Sequence, residues 1–99
     1  MILVRDIFRV RFGKAKDAIA MLREGMGPNG SSGFKADRIL TDLTGTYYTV
    51  VLEMTHPDLA SWEQTGRTVM SSPEWKAWYA RFAPLVESGQ REIYTIVES

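Results

Sequence analysis

Ninety-nine residues, 44% of them apolar by type, suffice for one domain and leave no room for a second core. Lysine and arginine together number 12, as do aspartate and glutamate, so no net field draws the chain to nucleic acid or a membrane surface. Cysteine is absent, which excludes disulfides and thiolate chemistry and makes a cytoplasmic setting the expectation.

The opening MILVRDIFRV is apolar but carries Arg5, Asp6 and Arg9, too short and too charged for a signal peptide or a membrane span. Residues 2–12 are rich in β-branched and aromatic side chains and predict a first strand. In residues 13–27, Ala15, Ala18, Ile19, Leu22 and Met26 recur at helical spacing between glycines, predicting a first helix. PNGSSG (28–33) is turn chemistry throughout and reads as a mobile, lid-like loop. A second, weaker strand over 34–43 and a strong third over 46–55 flank Thr44-Gly45, which predicts a hairpin. Pro57 suits a first helical position with Thr55 or His56 as cap, and Leu59, Trp62, Gly66 and Val69 then share a face. Ser72 and Pro73 repeat the device, ahead of a stripe of Trp75, Trp78, Tyr79 and Phe82. Pro84 should end that helix near Ala83. Residues 90–98 close the chain as strand four.

The order β-α-β-β-α-α-β, two crossovers flanking a hairpin, predicts an α+β ferredoxin-like sandwich: a four-stranded antiparallel sheet, strands one and three central, helices on one face. Side chains alternate along a strand. Ile2, Val4, Asp6, Phe8 and Val10, with Tyr48, Val50, Leu52 and Met54, should face the helices. The other face should then read polar if water covers it. Instead it is expected to carry Leu3, Ile7, Tyr47, Val51, Tyr94 and Ile96, with Arg5, Arg9 and Glu53 among or around them. Burying a large side chain of this kind is worth roughly 1.5–3 kcal/mol. A contiguous apolar patch usually marks an interface, so a homodimer packing its sheets back to back is expected.

The split crossover, the two-faced central strands and SSPEWKAWYARFAPLVESGQREIY resemble the dimeric α+β barrel superfamily. That group includes NIPSNAP-like domains, antibiotic-biosynthesis monooxygenases and small haem-degrading oxygenases. The likeness spans nearly the whole chain in element order and residues 59–94 in sequence. It implies a homodimer through the sheet face and, in each subunit, a cleft between helices and sheet for a small organic molecule. It also implies cofactor-independent oxygenation or isomerisation of an aromatic or polyketide-like compound, or alternatively a non-catalytic NIPSNAP-like ligand-binding or protein-interaction module. In the haem-degrading branch a helix with a similar serine-led start carries the axial histidine; Tyr79 matches that position here, so no haem is expected.

Among candidate site residues, Asp6 interrupts an apolar list on a central strand, where a carboxylate needs a partner or a functional reason. An arginine partner or a place at the rim would account for it structurally. As a catalytic group it would accept a proton, with Tyr79 beside it. Trp62, Trp75 and Trp78 would wall a pocket for a flat ligand, although any core-facing helix shows the same stripe. His56, the single histidine, is a candidate ligand contact; capping or shaping a turn is the simpler role. Without a second histidine or any cysteine, no metal site is expected. GPNGSSG lacks the Gly-Lys-Ser/Thr ending of a P-loop. RDIFRVR presents Arg5, Arg9 and Arg11 on one strand face, but TGTYYTVV does not supply an RNA-recognition strand, so no nucleic-acid partner is expected.

Overall fold

The structure, a computed structural model, describes residues 1–27 and 33–98. Its elements are β1 (Ile2–Val10), α1 (Ala15–Met26), β2 (Arg38–Thr41), β3 (Thr49–His56), α2 (Leu59–Met70), α3 (Pro73–Phe82), a 3-10 turn (Ala83–Leu85) and β4 (Val86–Thr95). The sheet runs β2-β3-β1-β4, antiparallel throughout, with β1 and β3 central as the sequence predicts. The proposed lid, 28–33, lies outside the described residues except for Gly33. Among the described residues no helix is long and apolar enough to cross a membrane.

Alternation along the central strands sets the two faces. Val10, Val50 and Leu52 are buried beneath the helices, where Ala18, Met21, Leu22 and Met26 of α1 meet them at helical spacing, and Val4 on the same strand face is fully buried. From α3, Trp78 and Phe82 complete this core, their rings stacked at 4.8 Å. The Trp78 indole N–H donates to the Met21 carbonyl at 2.7 Å, so the one polar atom of this buried ring is satisfied.

Several boundaries differ from the sequence reading, each for a local reason. The β1–β3 ladder extends to Ile2 opposite His56, so Thr55 and His56 stay in the strand and cap nothing. Asp58 caps α2 instead, its Oδ1 accepting from the Ser61 N–H at 2.8 Å, and Leu59 replaces Pro57 as first helical residue. Ser72 and Pro73 open α3 as expected. The β2–β3 connection is longer than a two-residue turn: Asp42 Oδ1 takes the Thr49 N–H, and Gly45 and Tyr48 adopt positive φ of 109° and 58°. Tyr47 and Tyr48 therefore precede β3, and Tyr47 projects from the turn at 72% exposure. β4 starts at Val86, four residues early, because Gly89 opposite Phe8 leaves room for that ring; a Cβ there would lie 3.2 Å from Phe8 Cδ1.

The Asp58 cap gives a pH-dependent expectation. Its hydrogen bond from the Ser61 backbone holds the carboxyl below its ordinary pKa. The stabilisation is therefore full above the ordinary carboxylate pKa and is lost as pH falls through the lowered folded-state value. Asp58→Ala should melt earlier than the native chain at neutral pH and converge with it in acid, as read by circular dichroism.

The face away from the helices is built of cross-strand rungs. One reads Leu40, Val51, Ile7, Gln90; the next reads Arg38, Glu53, Arg5, Glu92; beyond it lie Thr55, Leu3 and Tyr94. Glu53 is only 5% exposed on a face that no helix covers, and Arg5 and Arg38 both pair with it, Arg5 Nε at 3.1 Å. Arg5 also reaches Glu92 at 3.4 Å. A hydrogen bond to Glu92 raises the Tyr94 phenol above its ordinary pKa.

Candidate functional site: an aromatic cavity over the Asp6–Arg91 pair

Between the sheet and the α2–α3 pair lies a half-open cavity of about 710 Å³. Its floor comes from β1 and β4. Asp6 and Arg91 are direct cross-strand partners, so their side chains rise on the same side, and Arg91 Nε meets Asp6 Oδ1 at 2.5 Å. Asp6 is 8% exposed, whereas Arg91 is half exposed and lays its guanidinium over the Trp62 ring at 5.0 Å. This cation–π contact and the ion pair together fix the orientation of Arg91. Among the described residues no hydrogen bond engages Asp6 Oδ2 or the terminal nitrogens of Arg91. The floor thus offers an acceptor next to donors.

The walls are apolar. α2 contributes Trp62, Gly66 and Met70, which share a helical face at four-residue spacing. On α3, Trp75 and Tyr79 stack at 4.7 Å and 15°, presenting a flat surface. Phe8, Phe34 and Met54 fill the rest, while Glu63 and Arg67 stand at the exposed side. A concave, mainly apolar site with few convergent polar groups is the ordinary form of a small-molecule pocket.

Of the candidate residues, Asp6, Trp62, Trp75, Trp78 and Tyr79 all line this cavity. Trp78 is 4% exposed and hydrogen-bonded into the core, so it supplies a wall that cannot swing. His56 is not brought to the site. It lies four residues along β3 from Leu52, the partner of Asp6, which is roughly 13 Å of strand. Arg91 lies within the expected strand over 90–98 but was given no face there; extending the Ile93–Thr95 alternation back by one step places it beside Asp6. Among the described residues no group of three or more acidic or histidine side chains is placed to hold a metal ion.

No family model and no curated protein matches the sequence. Solved structures do. A NIPSNAP domain protein from Burkholderia xenovorans superposes with a TM-score of 0.87 at 17% identity, over 98% of this chain and 95% of that one. A NIPSNAP family protein from Agrobacterium tumefaciens gives 0.85 at 19% identity, over 98% and 93%. A candidate antibiotic biosynthesis monooxygenase from Nitrosomonas europaea gives 0.68 at 13% identity, over 99% and 100%. In architecture, then, the chain is a ferredoxin-like α+β protein whose fold is similar to that of these NIPSNAP and antibiotic-biosynthesis-monooxygenase structures.

Proposed function

We propose that the cavity binds a flat aromatic or polyketide-like molecule and that Asp6 accepts a proton from it, in a cofactor-independent oxygenation or isomerisation. The carrying observation is the Asp6–Arg91 pair on the floor of an otherwise apolar, aromatic-walled site. Oδ2 of Asp6 is available to a ligand O–H or activated C–H, and the Arg91 terminal N–H groups suit a neighbouring carbonyl oxygen whose negative charge grows as the proton leaves. Trp62, Trp75 and Tyr79 would orient the ring system. The deprotonated ligand then regains a proton at another carbon, or its carbanion is oxidised by dioxygen, one oxygen atom ending as a carbonyl on that carbon and the other leaving as water with the two hydrogens the carbon loses. A second reading, a non-catalytic binding module, draws support from the same pair, because a carboxylate already joined to a guanidinium can serve simply to hold that guanidinium toward a ligand.

Oxygen uptake and spectral change, measured on a panel of quinol-like and polyketide-like compounds alongside tryptophan-fluorescence binding, separate the two. Turnover should fall about 100-fold or more in Asp6→Asn, as for loss of a positioned base, while binding weakens less. Tight binding without consumption would favour the module. Asp6→Asn leaving both binding and turnover intact would remove Asp6 from the site.

The working unit in this proposal is a homodimer formed through the uncovered sheet face, with no nucleic acid or membrane involved and the cytoplasm as its setting. Support comes from the apolar rungs there, Leu3 and Ile7 half-buried and Leu40, Tyr94 and Ile96 exposed, around a Glu53 carboxylate that Arg5 and Arg38 already neutralise within the chain. Sedimentation at micromolar concentration should give twice the chain mass; a clean monomer refutes the dimer.

A further inference from the structure

The two halves of the Asp6–Arg91 pair are unequally open to a ligand. The Asp6 side chain is 11% exposed, whereas that of Arg91 is 52% exposed. A molecule entering the cavity therefore meets a cation whose counter-ion is largely covered. Resting on the binding half of the reading above, we propose that the cavity selects flat ligands that carry a carboxylate, and that Arg91 is the residue that recognises it. This sharpens the carbonyl contact named there to an anionic group and makes the substrate class an aromatic acid.

The guanidinium is set up for this task. Its Nε is committed to Asp6 Oδ1 at 2.5 Å, which leaves the edge bearing the two terminal nitrogens for a ligand. That edge presents parallel N–H groups spaced for the two oxygens of a carboxylate. The Trp62 ring lies 5.0 Å from the guanidinium carbon, so ion pair and ring together hold the plane of Arg91 before any ligand arrives. Less ordering is then left to oppose binding. Most of the remaining lining is aromatic or aliphatic, and a charge-assisted hydrogen bond gains strength in such surroundings.

The other charges of the lining favour neither sign. Glu63 and Arg67 are both exposed, four residues apart on α2, and offset each other at the mouth, where water also screens them. The preferred sign is thus set on the floor, where the accessible half of the ion pair is positive. Aromatic walls alone would favour a cation. Here the Trp62 face already holds Arg91, and a second cation beside it would be repelled. The Trp75–Tyr79 stack remains for the ligand's rings.

Isothermal calorimetry of the native chain with three matched probes, 2-naphthoate, 2-naphthamide and (2-naphthyl)trimethylammonium, tests this. The acid should bind at least about 10-fold more tightly than the amide, and the ammonium most weakly. Arg91→Gln should bring acid and amide to within about 2-fold of each other, since the amide loses far less with the guanidinium. An amide bound as tightly as the acid, or the ammonium bound most tightly, overturns the inference and leaves the flat-ligand cavity standing. If none of the three probes binds, the cavity reading itself falls and takes this inference with it. A preference that survives Arg91→Gln and disappears in Arg67→Gln puts the anion at the mouth and overturns the assignment. Should Arg91→Gln fail to fold by circular dichroism, having stripped Asp6 of its partner, Arg91→Lys keeps a cation there without the fork. That variant should cut the acid-over-amide ratio about 3-fold or more, and an unchanged ratio overturns the role given to Arg91.

Discussion

Replacing Gly25 by alanine should destabilise the fold by about 2–4 kcal/mol, although the same change in an ordinary helix interior stabilises by about 0.5–1 kcal/mol. Gly25 sits in α1 under the Trp78 indole: a Cβ there would fall 2.7 Å from Cδ1 and closer still to Nε1 and Cε2. The ring cannot yield cheaply, since it is stacked on Phe82 and tied to the Met21 carbonyl one turn earlier. Overpacking costs about 1–3 kcal/mol, and pulling the indole from its carbonyl leaves a buried acceptor unsatisfied at about 1–3 kcal/mol more. Urea unfolding of a double-mutant cycle with Trp78→Phe isolates the collision. The smaller ring should relieve much of the penalty, giving a coupling above about 1 kcal/mol. A neutral or stabilising Gly25→Ala in the native background would show that the indole does not lie over α1.

That contact also shows what the sequence disclosed and what it withheld. Alternation in β1 and β3 disclosed both faces of the sheet, because a strand has a period of two and one residue of slip would have put Val4 and Leu52 in water. The helices were legible from their spacing and from Ser72-Pro73. Gly25, by contrast, carries no local signal of its role; its packing depends on a tryptophan 53 positions away, and no local rule links them. The start of β4 was hidden because Glu87, Ser88 and Gly89 have no strand-like side chains, and their pairing is dictated by β1. Arg91 fell inside the expected strand, but its register against β1 was not readable, so Asp6 stood without its partner. A buried carboxylate could be inferred from its neighbours in sequence, but the guanidinium that satisfies it comes from the other end of the chain. His56 failed for a related reason: Pro57 suggested a helix start, and ladder pairing with Ile2 outweighed it.

The aromatic stripe of α3 presents the remaining ambiguity, core or cavity, and the structure divides it. Phe82 packs edge-on to Phe8 at 5.3 Å and flat against Trp78, at 3% exposure, while also closing the inner end of the cavity. Trp75 and Tyr79 stack on each other nearer the solvent, with Tyr79 at 48% exposure. Phe82→Ala should therefore cost about 3–5 kcal/mol in stability, the usual range for a buried ring, and open a hollow continuous with the cavity. Indole or benzene added at about a hundredfold over its Kd should restore up to about 2.7 kcal/mol, since it binds the folded state alone. Trp75→Ala should behave oppositely: a stability loss near 1 kcal/mol, in keeping with a half-buried stacked ring, and binding of flat ligands weakened about 10-fold. Thermal melts with and without the small aromatic, set beside fluorescence titrations of both variants, read the two effects separately. If Trp75→Ala destabilised the fold as much as Phe82→Ala while leaving binding intact, the stripe would be core along its whole length, and the cavity would lose the wall on which a flat ligand is proposed to lie.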